Sequence, residues 1–168
     1  MKVTQSQLEQ YLSKAAWILK GPVDASDFKS YIFPLLFFKR ISDVYDEEYE
    51  LALKESGNDK EYASLKEFHR FIIPKDCHWK DIRETNENIG LKIQNSLRKI
   101  EEKNPNLFGI FGDAQWSNKE KLSDRLLVDL IEHFSQYNLS NTVVPHDILG
   151  NSYEYLIKHF ADLTNKKA

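Results

Sequence analysis

An acidic group beside a lysine is the first candidate for catalytic chemistry. Glu101, Glu102 and Lys103 follow Asp81 along the sequence, and metal-dependent nucleases combine an aspartate with a Glu-x-Lys sequence to hold a cation that activates water. That site needs its glutamate and lysine to alternate on a strand. Here they fall at the end of a predicted helix, where the helix dipole favours a lysine. The spacing therefore predicts a helix terminus.

A second candidate is the segment of Asn104, Pro105, Asn106 and Leu107. It partly matches Asn-Pro-Pro-aromatic, with which amino-group DNA methyltransferases hold a flipped adenine. Asn106 replaces the second proline, and Leu107 replaces the ring that would stack on the base. We therefore interpret the segment as a helix stop.

Metal and nucleotide sites also lack their usual patterns. Cys77 and His78 are adjacent, but the remaining histidines show no ligand spacing around them. None of the six glycines belongs to a G-x-G-x-x-G or Walker-type loop. The sequence therefore predicts no catalytic residue, no cofactor-binding residue and no metal ligand in this chain.

Lys39 and Arg40 directly follow an apolar run at residues 31–38. A run that is apolar on all sides marks a membrane span or the centre of a bundle, and this one is far short of the roughly 20 residues that a bilayer requires. Two interpretations of the basic pair stay open. Either it buries its stems and leaves its charged ends in water, or it contacts phosphate or a partner from a rigid helix.

Apolar spacing predicts the helices that carry these residues. A capping box at Thr4 and Gln7 opens the first helix. A second helix is predicted to run from a cap at Asp24 or Ser26 to about Lys54, with Pro34 bending or splitting it. Further predicted elements are a short helix at 60–70, a short hairpin between 71–74 and 77–79, and a helix at 88–103. A helix opened by a capping box at 117–120 and a last helix starting near Pro145 complete the set.

These elements predict a mainly α fold, a compact helical bundle with a long central helix that allows one very short β-hairpin. The loop at 107–112 is expected to bury both of its phenylalanines. The last helix carries an apolar face to its end, made of Leu149, Tyr153, Leu156, Phe160 and Leu163. That face suggests either that a further domain follows or that the helix simply closes the bundle.

Composition sets the class of protein. With 168 residues, 41% of them hydrophobic and 29% charged, the chain suits one folded domain, residues 1–168. A net charge of −3 argues against strong nucleic-acid binding by the chain alone. The single cysteine fits a reducing compartment, and no signal-peptide core or membrane-spanning run is visible, so we expect a cytoplasmic protein.

Three segments, in order, carry a family resemblance. Residues 27–43, DFKSYIFPLLFFKRISD, are similar to the hallmark helix of the N-terminal domain of the modification subunit of Type I restriction–modification enzymes. Phe71-Ile72-Ile73-Pro74 with His78-Trp79 resembles the family's next marker. Residues 147–157, with Phe160-Ala161, resemble the helix that leads into its catalytic domain. Pro34 departs from the family's pattern.

The resemblance implies that this helical domain is followed by an S-adenosylmethionine-dependent adenine-N6 DNA methyltransferase domain, whose motifs are not in this chain. It also implies two modification subunits, a specificity subunit that recognises the bases, and a restriction subunit for cleavage. The helical domain is expected to pack on its own methyltransferase domain and help close the assembly around DNA. We expect weak, non-specific phosphate contacts from Lys39, Arg40, Lys166 and Lys167, and no membrane contact.

Two other functions stay open. The chain could be a free-standing helical module for protein–protein interaction, in which case a natural stop codon would follow Ala168. An independent hydrolase or nuclease is disfavoured, because the sequence offers no nucleophile–base pair and no carboxylate–metal group.

Overall fold

The computed structural model describes the backbone of residues 2–167 and the side chains of 2–152, 154, 155, 157 and 158. Over these residues the chain forms seven α-helices: α1 (Gln5–Leu19), α2 (Phe28–Glu55), α3 (Lys60–Ser64), α4 (Trp79–Arg83), α5 (Ile89–Lys103), α6 (Asp124–Phe134) and α7 (His146–Lys167). Short 3₁₀ turns lie at Ala25–Asp27, Lys66–Phe68 and Pro105–Leu107. The predicted mainly α bundle is confirmed.

Helix α1 begins at the predicted capping box. The Thr4 hydroxyl accepts a hydrogen bond from the backbone N–H of Gln7 at 3.1 Å, and the Gln7 side chain accepts one from the backbone N–H of Thr4 at 2.9 Å. Two N–H groups that would otherwise lack partners at the helix start are thereby satisfied. The predicted apolar face is buried throughout, as Leu8, Leu12, Ala15, Ala16 and Leu19.

Helix α2 is the long central helix, and it contacts α1, α3, α4, α6 and α7. Of the two predicted effects of Pro34, the split is wrong, because α2 is continuous from Phe28 to Glu55, whereas a bend there stays a prediction. Pro34 lies in the second turn, where its missing N–H affects only the bond expected to the carbonyl of Ser30. The predicted side-chain cap is also wrong: a 3₁₀ turn leads into α2, and Asp27 at the cap position makes no capping bond.

The predicted hairpin at 71–79 is wrong as well, since the described residues contain no strand beyond an isolated bridge between Lys20 and Val23. The Asn104 side chain binds both the N–H of Ile72 (2.9 Å) and its carbonyl (2.7 Å). A side chain thus takes the place of a partner strand. Trp79 is the first residue of α4, and its backbone N–H donates a hydrogen bond to the Ser42 hydroxyl at 3.2 Å.

The predictions for 107–123 are half right. Phe111 is buried, but Phe108 is 89% exposed. Gly109 adopts φ +80°, a left-handed conformation that suits glycine, and the turn there leaves Phe108 outside. The predicted capping box at 117–120 is wrong, because the helix starts later. Ser123 caps α6 by accepting the N–H of Leu126 at 3.1 Å.

The core lies where α1, α2, α5 and α6 meet, and it includes the predicted face of α5: Ile89, Ile93, Leu97 and Ile100. On α7, Leu149 is half-buried against this core. The rest of its predicted apolar face, Tyr153, Leu156, Phe160 and Leu163, lies outside the described side chains. Among the described residues, none of the helices is both long enough and apolar enough to cross a bilayer.

Candidate functional site on helix α2

Four charged residues of α2 face the segment 137–144, which connects α6 to α7. We call Lys39, Arg40, Asp43 and Glu47 the anchor residues and residues 137–144 the connecting loop. Asp43 lies four positions after Lys39 and three after Arg40, and Glu47 lies four positions after Asp43, so Asp43 links the four residues along one side of the helix. Each of them makes hydrogen bonds to the connecting loop.

Lys39 is 5% exposed despite its charge. Its Nζ donates to the Tyr137 carbonyl at 2.8 Å and pairs with the Asp43 carboxylate. The Trp79 ring centroid lies 5.8 Å from the same nitrogen. A lysine buried in this way needs such partners, since an unpaired charge in the interior is costly.

Arg40 binds the connecting loop through both terminal nitrogens of its guanidinium. Nη1 contacts three carbonyl oxygens, those of Leu139 (2.7 Å), Ser140 (3.1 Å) and Val144 (2.6 Å). Nη2 donates to the side-chain oxygen of Asn141 at 2.5 Å. Burial lowers the pKa of Arg40, but a guanidinium stays protonated in proteins. The planar donor group therefore holds several loop acceptors at once.

The two anchor carboxylates bind the loop's donors. Asp43 accepts the N–H of Leu139 at 2.7 Å; burial raises its pKa above the ordinary value, and Lys39 opposes that rise. Glu47 accepts the N–H groups of Asn141 and Thr142, each at 3.2 Å, and the Thr142 hydroxyl. Partial burial of Glu47 raises its pKa, but the hydrogen bonds from the loop outweigh this and lower it overall.

These contacts differ from both interpretations of the basic pair, because the charged ends of Lys39 and Arg40 bind the chain itself. Phosphate contact by either residue stays a prediction, and it would require release of the loop. The side chains of Lys166 and Lys167 lie outside the described residues. The sequence held a partial signal, the opposite charges of Lys39 and Asp43 four positions apart with Glu47 four positions further on, which marks a charged face of the helix but not the loop that this face meets.

The other candidate groups have structural partners. The Asp81 carboxylate accepts the N–H of His78 at 3.0 Å, and Glu101 accepts the N–H of Phe111 at 3.2 Å. The Asn104 amide is 5% exposed and binds its own helix end, at the Ile100 carbonyl. No cluster of three or more potential metal ligands occurs within the described part of the chain.

A histidine–glutamate pair, not considered from the sequence, lies near the end of α2. Nδ1 of His69 is 3.5 Å from the Glu48 carboxylate, and its Nε2 binds the Ala63 carbonyl at 2.7 Å. The ring stacks on Tyr45 with 3.8 Å between centroids. Glu48 also accepts the backbone N–H of Arg70. The pair thus holds residues 63–70 against α2. Both ring nitrogens of His69 face the interior of the protein.

Exposed aromatic residues at two separate places are further candidates for contact with another protein. Trp17 of α1 is 70% exposed, and the Lys20 ammonium lies 4.6 Å from its ring centroid. A groove of about 500 Å³ separates Trp17 from Tyr155 of α7. Phe108 projects elsewhere, from the turn at Gly109. Aromatic residues are enriched at protein interfaces relative to the rest of the surface, so Trp17 and Phe108 are each a candidate contact.

Comparison with known proteins gives one family and one fold. A family model described as the HsdM N-terminal domain matches residues 8–134. Among solved structures, the methyltransferase subunit of a type I restriction-modification system from Streptococcus thermophilus superposes with a TM-score of 0.70 at 22% identity. The match covers 95% of this chain and 39% of that one, and at this identity it shows the fold alone. No curated protein matches the sequence.

Proposed function

Because the chain belongs to the HsdM N-terminal domain family, we propose that it is the helical scaffold domain of a type I restriction–modification DNA methyltransferase subunit. The family match over residues 8–134 is the observation that carries this proposal. The chain spans 39% of the methyltransferase subunit whose fold it shares. Transfer of a methyl group from S-adenosylmethionine to adenine N6 is assigned to a separate domain of the parent protein.

In this proposal the scaffold assists assembly with the methyltransferase domain, a second modification subunit, the specificity subunit and the restriction subunit. Trp17 and Phe108 support it, because both are large apolar side chains exposed on ordered helical or turn backbone. Exposed aromatic residues of this kind often contribute much of the binding energy at protein interfaces. They are therefore the proposed subunit contacts.

The scaffold is also proposed to help close the assembly around DNA with weak, sequence-independent phosphate contacts. Lys39 and Arg40 would reach phosphate only by giving up the loop carbonyls that they bind now. The proposed contacts therefore depend mainly on Lys166 and Lys167. Recognition of the bases remains with the specificity subunit.

The direct test compares the complete modification subunit with a version that lacks residues 1–168, each with its specificity subunit. We expect the shortened subunit to bind S-adenosylmethionine in calorimetry but to lose adenine methylation. Methylation at the full rate without residues 1–168 would contradict the scaffold role. So would micromolar binding of S-adenosylmethionine by the 168-residue chain alone.

The second candidate function is a free-standing interaction module, and the exposure of Trp17 and Phe108 supports it equally well. The two functions differ in the genetic context. A methyltransferase-coding sequence in frame after Ala168 favours the scaffold domain, whereas a natural stop codon there favours the independent module.

A further inference from the structure

The connecting loop owes most of its described hydrogen bonds to side chains of α2. Arg40 binds three of its carbonyl oxygens, and Asp43 and Glu47 bind three of its N–H groups. Every one of these bonds has a charged partner, and such bonds are about twice as strong as neutral ones. A loop held in this way has few alternative conformations.

The last of these contacts falls directly before α7. Nη1 of Arg40 lies 2.6 Å from the Val144 carbonyl, and α7 starts at His146, with only Pro145 between them. Pro145 has a fixed φ angle. The start of α7 is therefore tied to the middle of α2 through two residues of backbone, one of them rigid.

Helix α7 also packs on α1 and on the turn at Ala25–Asp27, with half-buried Ile148 and Leu149 on the core. Packing between helices leaves their crossing angle free by about 15–20°, and the hydrogen bond from the Asn151 amide of α7 to the Gln5 side chain of α1 is long, at 3.4 Å. Hydrogen bonds to named carbonyl and N–H groups are directional. They are the contacts that can set the angle.

We propose that Arg40, Asp43 and Glu47 are positioning residues that fix the angle at which α7 packs on the bundle. If the proposed function holds, they also set where the methyltransferase domain lies relative to this scaffold. The first statement concerns this chain alone, and only the second depends on the proposed function. The two are tested separately below.

The first test measures the distance between two spin labels, at Glu55→Cys on α2 and Lys158→Cys on α7. Both positions are exposed, whereas the native Cys77 is buried, so labelling is directed to the new thiols. We expect a narrow distance distribution in the parent protein and a broader or shifted one in Arg40→Gln and Glu47→Ala. Glu50→Ala, an exposed carboxylate on the same helix, is the matched control and should leave the distribution unchanged.

Hydrogen exchange gives the second measurement on the same variants. The amides of Asn141 and Thr142 should exchange roughly tenfold faster in Glu47→Ala, since hydrogen bonds to charged groups contribute enough to shift opening by about that factor. If the amides of Asn141 and Thr142 exchange faster while the α2–α7 distance distribution neither broadens nor shifts, the anchor residues do not position α7 and the proposal is overturned. If Arg40→Gln fails to fold by circular dichroism, Glu47→Ala decides between these outcomes.

The functional step uses the complete modification subunit with its specificity subunit. Glu47→Ala should lower methylation by up to about 100-fold, because misplacing reacting groups by about 1 Å can cost that much, while binding of S-adenosylmethionine stays unchanged. A broadened α2–α7 distance with full methylation would overturn the placement of the methyltransferase domain but leave the anchoring of α7 intact. Loss of methylation on deleting residues 1–168 tests the proposed function itself.

Discussion

The hydroxyl of Tyr11 in α1 donates a 2.6 Å hydrogen bond to the backbone carbonyl of Phe134, the last residue of α6. The same two helices are joined again where Nε2 of His133 lies 2.6 Å from the Tyr11 carbonyl. Tyr11 is 2% exposed, and burial raises the pKa of its phenol well above the ordinary value. One side chain thus satisfies a carbonyl at the helix end that has no partner within the helix.

Replacing Tyr11 with phenylalanine should lower the free energy of unfolding by about 1–3 kcal/mol, because it leaves the buried Phe134 carbonyl without a donor. Urea unfolding followed by circular dichroism measures this. The control is Tyr49→Phe, which removes a hydroxyl from a half-buried tyrosine of α2 and should change stability by less than about 0.5 kcal/mol. Equal losses of stability at the two sites would show that the hydrogen bond of Tyr11 makes no specific contribution to the free energy of unfolding.

Gly90 of α5 is expected to tolerate no side chain. A Cβ built there would lie 1.9 Å from the Trp116 carbonyl oxygen, so Gly90→Ala must displace backbone at a cost of about 1–3 kcal/mol. Gly150→Ala in α7 is the matched control: its Cβ would meet nothing within 4 Å, and alanine favours a helix by roughly 0.5–1 kcal/mol. The temperature of thermal unfolding should therefore fall in Gly90→Ala and rise in Gly150→Ala.

The buried pair of Lys39 and Asp43 should show strong coupling. Lys39→Met alone leaves a buried carboxylate without its cation and is expected to cost about 3–5 kcal/mol. Adding Asp43→Asn removes that charge and keeps an acceptor for the Leu139 N–H, so the double variant should lose much less than the sum of the two single variants. Additive losses in denaturant unfolding would mean that the two charges act independently. Lys54→Met, at an exposed site, serves as the control.

Glu47 predicts a component of acid sensitivity. Its pKa is lowered from 4.5 in the folded protein, so its contribution to stability is present above 4.5 and is lost as the pH falls through the lowered value. Between about pH 6 and about pH 3 the free energy of unfolding should therefore fall less steeply in Glu47→Gln than in the parent protein. The raised pKa of Asp43 acts in the opposite sense, but it is common to both proteins. If the free energy of unfolding depends on pH equally in both proteins, Glu47 does not contribute to the acid sensitivity.

Phosphate binding by the C-terminal lysines can be tested by salt dependence. The isolated chain should bind duplex DNA weakly. Lys166→Ala with Lys167→Ala should reduce the slope of log affinity against log salt by up to about 1.8, because each neutralised phosphate adds roughly 0.9 to that slope. Glu47→Ala and the charge-matched Glu50→Ala each remove one negative charge, so a larger gain in affinity in Glu47→Ala would indicate that Arg40 of the loosened loop reaches phosphate. Salt-resistant binding to one sequence would be incompatible with the proposed role.

The local patterns were readable from the sequence because neighbours in the chain decide them. Leu8, Leu12 and Leu19 on α1, and Ile93 and Ile100 on α5, repeat at helical spacing, and all are buried. The capping box joins Thr4 and Gln7, which lie within one turn of helix α1. In each case the partners lie within a few residues, so spacing alone identifies them.

Apart from the two misplaced helix caps and the split at Pro34, which are local patterns, the predictions that failed depend on distant partners or on an unusual backbone angle. Asn104 replaces the expected strand partner of Ile72 from 32 positions away. Phe108 is exposed next to Gly109, whose left-handed φ of +80° is not indicated by the apolar pattern of its neighbours. The charged ends of Lys39 and Arg40 find acceptors that no local pattern indicates. Spacing within a helix shows which face is polar, but not what that face meets.

Arg40 and the Val144 carbonyl are separated by 104 positions in the chain. During synthesis, α2 leaves the ribosome long before the acceptors of its anchor residues exist. Formation of so distant a contact closes a large loop, and such closure slows folding. A nascent chain that ends before residue 137 must keep Lys39 and Asp43 hydrated, which leaves part of the core open. Completion of the bundle is therefore delayed until the segment before α7 has been made.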